Sequence, residues 1–113
     1  MNRLIFALLL SLVISDAAFA ASPPPTNATV GPSSVQVLPA RPWNGSLRRT
    51  GFAIVNDSDV KIYLAFGAPA EVGKGILLMP KGGAVTLVAG VPETAIYAIA
   101  VSGDSNQLTI MEW

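Results

Sequence analysis

The chain has 113 residues, room for one domain and no second core. Cysteine and histidine are both absent, which excludes disulfides, thiol nucleophiles, thiolate or imidazole metal ligands and the usual general base near neutral pH. Charged residues make up 12% of the chain and the formal net charge is zero, so neither nucleic acid nor an anionic membrane surface is advertised as a partner.

Residues 1–20, MNRLIFALLLSLVISDAAFA, carry a basic start at Arg3, an apolar run over 4–14 and small residues at Ala18-Phe19-Ala20. That is the pattern of a secretory signal, with cleavage expected after Ala20. The apolar run is followed by Ser15 and Asp16, whereas a spanning helix wants about twenty apolar residues; the alternative is an uncleaved anchor, which would be the chain's one membrane contact. Residues 21–33 are rich in proline and small polar residues, cannot build a core and read as a flexible linker.

From residue 34 onward the pattern is that of strands. Residues 34–38, SVQVL, alternate enough for a first strand, and Pro39, Pro42 and Gly45 break the stretch after it, leaving 41–46 as a loop. Residues 49–55 and 61–66 are rich in β-branched and aromatic residues, and Asn56-Asp57-Ser58-Asp59 between them supplies turn formers, so the pair reads as a hairpin. Ile62, Leu64 and Phe66 share one parity and form an apolar face that another sheet must cover; Lys61 lies on the opposite parity. Residues 75–79, GILLM, read as a short strand buried on both faces. Lys81-Gly82-Gly83 turns the chain, and 84–88, AVTLV, is expected to pair back. Residues 95–101 are apolar on both parities and should be central, and 107–113 form the last strand with Leu108 and Ile110 facing inward. Glu112 shares that inward parity, so the core must end before it. The expectation is an all-β fold, a single small antiparallel β-sandwich of about seven strands over 34–113, jelly-roll-like or Greek-key.

Candidate sites are few. Asn56 to Asp59 place carboxylates at two-residue spacing but lack the glycine and glutamate of a calcium loop, so they read as a turn. Gly67 to Gly75 has the wrong glycine spacing for a phosphate loop, and a strand comes after it in place of a helix. Arg41, Arg48 and Arg49 gather near one loop and either grip an acidic ligand or stand solvated at a strand start. Trp43, in the same loop, either caps the core or stands exposed as a contact residue. The formal glycosylation sequons at Asn27, Asn44 and Asn56 matter only in a eukaryotic secretory pathway. Beyond residue 20 there are six scattered carboxylates and three lysines to serve as a base for a serine, so no catalytic residue, cofactor site or metal site is assigned. The route left to an enzyme is a cleft of paired carboxylates, for example Glu71 and Glu93.

Several pieces together resemble small β-sandwich virion proteins encoded among the structural genes of bacteriophages: Asn44 to Arg49, Phe52 to Asn56, Ile62 to Gly67, Leu78 to Gly83, Ile96 to Ile99 and Leu108 to Glu112. The resemblance implies a structural or accessory virion role, such as a decoration, spike or fibre-associated subunit. Its partners would be protein, either copies of itself or other virion proteins, with no catalytic residues. The departure is the amino terminus, whose signal and proline run imply an exported chain, in the periplasm, the medium or a virion. The other reading is a secreted or periplasmic bacterial β-sandwich that binds a carbohydrate or cell-surface ligand through Trp43 and the neighbouring arginines.

Overall fold

A computed structural model of the chain describes residues 25–41 and 49–113. The expected signal segment, its cleavage point after Ala20, and the candidate contact residues Trp43 and Arg48 lie outside the described residues. Eight strands come in order: β1 (Thr26–Val30), β2 (Val35–Leu38), β3 (Phe52–Asn56), β4 (Ile62–Phe66), β5 (Ile76–Leu78), β6 (Ala84–Leu87), β7 (Ile96–Ala100) and β8 (Asn106–Glu112). There is no helix among the described residues.

The strands form two four-stranded antiparallel sheets, ordered β1-β8-β3-β6 and β2-β7-β4-β5. Successive strands alternate between the sheets at every step except β4 to β5, the one hairpin. First pairs with last, second with seventh, third with both sixth and eighth: this is the strand order of an eight-stranded jelly roll.

The topology corrects four expectations. The segments 49–55 and 61–66 do not form a hairpin, because β3 and β4 belong to opposite sheets and the Asn56 to Asp59 turn arches from one to the other. Phe52, Ile54 and Asn56 face inward on β3, and Ile62 and Leu64 face inward on β4, so the arch lets two apolar faces cover each other. Likewise β6 does not pair back on β5 but crosses to β3, with Thr86 opposite Ala53. Residues 75–79 are not buried on both faces: β5 is an edge strand and Leu77 is 40% exposed. Finally, the segment expected as linker contributes β1, paired with β8 from Thr26↔Ile110 to Val30↔Asn106. Its Val30 is fully buried, which joins a proline-flanked stretch to the core.

The core lies between the sheets and is built from one parity of each strand: Phe52 and Ile54, Ile62 and Leu64, Ile96 and Ala98, Leu108 and Ile110, with Val30, Leu38 and Leu78 at the margins. Strand β7 is flanked by β2 and β4 and buries Ile96, Ala98 and Ala100, as a central strand should. One end of the sandwich is closed by a polar node. The buried Asn56 donates Nδ2–H to the carbonyls of Val60 (2.8 Å) and Leu78 (3.0 Å), and its Oδ1 accepts from the amide (2.9 Å) and hydroxyl (2.6 Å) of Ser58. Its side chain therefore ties the arch to the end of β5, and all its buried polar groups are matched.

Candidate functional site

The opposite end of the sandwich is closed by charge. Glu112 points inward beyond Ile110, where an unpaired carboxylate would be costly, and two arginines meet it. Arg49 donates Nε–H to Glu112 Oε2 at 2.7 Å, and Arg41 donates to Oε1 at 3.0 Å and Oε2 at 3.3 Å. Arg49 also donates to the carbonyls of Pro92 (2.9 Å), Thr94 (3.2 Å) and Pro39 (2.5 Å), and its guanidinium stands 6.0 Å from the Phe52 ring centroid. Burial pushes the Glu112 carboxyl up, but the hydrogen bonds and charges of Arg41 and Arg49 outweigh it and hold the group below its ordinary value. The hydrogen bond to Glu112 raises Arg41.

This geometry decides what Arg41 and Arg49 do. The Arg49 side chain has no accessible surface and its donors are turned to the protein itself, so it is neither a solvated strand start nor a hand held out to a ligand. Arg49 clamps the segment before β3 to the loops after β2 and β6 and to the end of β8. Arg41 keeps partial exposure and completes the carboxylate's shell. The turn residues divide as well. Asn56 and Ser58 point into the fold, while Asp57 and Asp59 are exposed, with Asp57 accepting from the Thr109 hydroxyl; the four do not converge on a cation. Glu71 is exposed and paired with Lys74 at 2.8 Å, which holds its carboxyl below its usual range, whereas Glu93 lines a pocket beside β6. Among the described residues, no group of three acidic side chains could hold a metal ion.

The surfaces that remain are the two outer sheet faces, and they differ. On the β2-β7-β4-β5 sheet, cross-strand register puts Gln36, Tyr97 and Ala65 in one outward row and Ile99, Tyr63 and Leu77 in the next. The β4–β5 connection closes over this face. Ala70 is buried, and its amide donates to Ser34 Oγ at 2.8 Å, immediately before β2 at the far edge of the sheet. Ser34 has outward parity because Val35 pairs with the inward Ala98. The inner face is packed against the other sheet, so the connection reaches Ser34 over the outer one, and Tyr63, Tyr97 and Ile99 are only half exposed.

The other outer face, on β1-β8-β3-β6, is open. Its rows run Asn27–Thr109–Val55–Ala84 and Met111–Ala53–Thr86. One further row is set by the reciprocal main-chain bonds of Gly51 and Trp113 (2.9 and 3.0 Å), which extend the β3–β8 ladder beyond Glu112. In that row the indole of Trp113 lies across Gly51, where a methyl group would overlap the ring, and Val88 comes directly after Leu87, the partner of Phe52. Val88 is 72% exposed, Met111 47% and Trp113 43%, so three large apolar side chains meet at one end of a flat face. That face's polar end is Thr29, Gln107 and Thr109, with Asp57 beside it. Val88 also borders an open pocket of about 400 Å³ lined by Arg49, Thr50, Val88 to Val91 and Glu93.

This patch is the candidate functional site. Exposed Trp and Met side by side are side-chain types that carry protein–protein contacts, and the flat, uncharged surround lets a second surface approach without stripping water from ions. Sequence reasoning looked to Trp43 and the arginines and missed Trp113, Met111 and Val88. The signal was present: Met111 and Trp113 share the parity opposite to the buried Leu108 and Ile110. No family model, no curated protein and no solved structure matches the chain.

Proposed function

We propose that this protein is a non-enzymatic structural or accessory subunit of a bacteriophage virion, held to neighbouring protein through the open outer face of the β1-β8-β3-β6 sheet. The observation that carries the reading is the Trp113–Met111–Val88 cluster, a concentrated apolar contact on an otherwise small-residue, uncharged face. The jelly-roll strand order fits, since that architecture serves viral capsid proteins as well as lectins, and it agrees with the virion-protein resemblance of the strand segments. In this reading the amino-terminal segment exports the chain, and the folded domain meets its particle by surface contact alone.

The test is particle incorporation. Met111→Lys and Trp113→Ala, at exposed positions, should leave the fold intact by circular dichroism and cut the copies recovered per purified particle by tenfold or more. Thr29→Lys, at the polar end of the same face, should incorporate normally. Equal incorporation of all three would remove the patch as the attachment surface.

A second reading is favoured by one feature, the exposed indole of Trp113 at the same end of the face as Val88 at the rim of the pocket holding Thr50 and Glu93. An aromatic plane beside polar groups is what a secreted carbohydrate-binding sandwich would offer a sugar ring. Calorimetric titration with neutral and acidic oligosaccharides separates the two: saturable binding lost in Trp113→Ala supports the carbohydrate reading.

A further inference from the structure

The jelly roll leaves four edge strands, and three are guarded. β5 is only three residues long and is followed by Met79 and Pro80, β2 carries a register shift between Gln36 and Leu38 and runs into Pro39, and β1 is mostly Thr and Asn between Pro25 and Pro32. β6 and its continuation, Ala84-Val85-Thr86-Leu87-Val88, have no proline, charge, bulge or glycine, and no charged residue lies between Lys81 and Glu93. An edge of that kind invites another strand.

The ladder shows which main-chain groups are free. Asn56 N–H donates to Gly83 C=O at 2.8 Å and Asn56 C=O accepts from Gly82 N–H at 2.7 Å, so residue 56 turns its main-chain groups toward β6, and two-residue periodicity makes Ile54–Val85 and Phe52–Leu87 the next bonded pairs. The Gly51–Trp113 bonds agree, since they direct 51, 53 and 55 toward β8 and leave 52, 54 and 56 for β6. The N–H and C=O of Ala84 and Thr86 therefore point away from β3, along the open edge of the sheet, and Val88 follows at the same parity in the bend just past the strand.

We infer that β6 pairs with β6 of a second copy of this chain, antiparallel across a two-fold axis at Thr86, joining two β1-β8-β3-β6 sheets into one of eight strands. A strand that pairs with itself must match its own reversal, and this one does. Thr86 meets Thr86 of the second copy, Ala84 meets Val88, and Val85 meets Leu87, so each cross-strand pair is apolar or a Thr–Thr pair and no like charges oppose. The arrangement makes two main-chain hydrogen bonds at the Thr86 pair and, with Val88 drawn from its bend into the strand, two at each Ala84–Val88 pair. It also sets the two open outer faces in one plane, with the Val88 end of each contact patch beside the axis. The inference is independent of the virion reading, since a secreted binding module would dimerise by the same edge.

Sedimentation equilibrium of the full chain over a wide concentration range, with amide hydrogen exchange on the same samples, tests it. The expected result is a monomer–dimer equilibrium in which the amides of Ala84, Thr86 and Val88 become protected as the dimer fills. Thr86→Pro removes only an N–H that faces away from β3, so it should keep the fold and weaken dimerisation at least tenfold. Thr86→Lys should do the same through facing charges, with partial recovery at high salt. A monomer at all concentrations, a dimer whose three amides exchange freely, or a monomer in which they are already protected would each overturn the pairing.

Discussion

Replacing Asn56 with alanine should be among the most damaging single changes this domain can suffer, although no apolar contact of consequence is lost. The side chain makes four hydrogen bonds, to Val60 and Leu78 carbonyls and from the Ser58 amide and hydroxyl, all in a site closed to solvent. At about 1 kcal/mol net for each bond the loss is near 4 kcal/mol, and partners left unpaired in the interior push it upward. A domain of this size has roughly 5–10 kcal/mol in total, so Asn56→Ala should retain a folded baseline but unfold at roughly half the urea concentration of the parent. The assay is urea denaturation followed by circular dichroism, with an unchanged slope showing that the same surface is exposed. Asn56→Asp sharpens the test. It keeps the acceptor for Ser58 but turns a carboxylate toward two carbonyls, so its deficit should be large at neutral pH and shrink as acid protonates the group. A loss below about 1 kcal/mol for Asn56→Ala would refute the claim that this node holds the arch between the sheets.

Three other regions of the structure carry predictions of their own. Removing Glu112 as Glu112→Ala strands the buried Arg49 guanidinium and should cost about 3 kcal/mol in urea melts. Because Glu112 is held below its ordinary value of about 4.5, it contributes stability that is fully present above that value and is lost as pH falls through the folded one; Glu112→Gln should flatten that acid limb. Leu64→Asp puts an unpaired carboxylate in the core and should leave the domain unfolded by circular dichroism, while Lys61→Asp, exposed, should shift stability by less than about 0.5 kcal/mol. Gly51→Ala should drive the Trp113 indole off the sheet, read as a red-shifted emission in a Trp43→Phe background; an unmoved spectrum would contradict the packing of that ring.

How much of the fold and its contact patch was legible in the chain differs by level. Strand positions from residue 34 onward were, because alternation of Ile62, Leu64 and Phe66 with Lys61, Tyr63 and Ala65 is a local property that the fold must respect. Pairing was not. Asn56 to Asp59 announces that the chain reverses, but the same turn chemistry serves a hairpin within a sheet and an arch between sheets, and only the inward Asn56 side chain, reaching Leu78, separates them. β1 escaped notice because Thr26 to Val30 has just two inward apolar residues, Ala28 and Val30, amid prolines, and its partner β8 is some eighty residues away. Distance hid the arginine clamp too. Arg49 beside Arg48 looks like a solvated pair until the fold brings Glu112, sixty-three residues on, to its side. The contact patch was hidden by position, since Trp113 reads as a trailing residue until the main-chain bonds to Gly51 pin it to the sheet.

Service in a virion by surface contact, as proposed for this jelly roll, requires the chain to be present in purified particles. Intact-mass spectrometry of the chain recovered from purified particles and from the exported fraction of the same culture addresses it most directly. The expected result is the chain in particles at a fixed number of copies, with a mass lacking residues 1–20. A processed chain found only in the periplasm or medium, with none in particles, would contradict it and leave the carbohydrate-binding reading in its place.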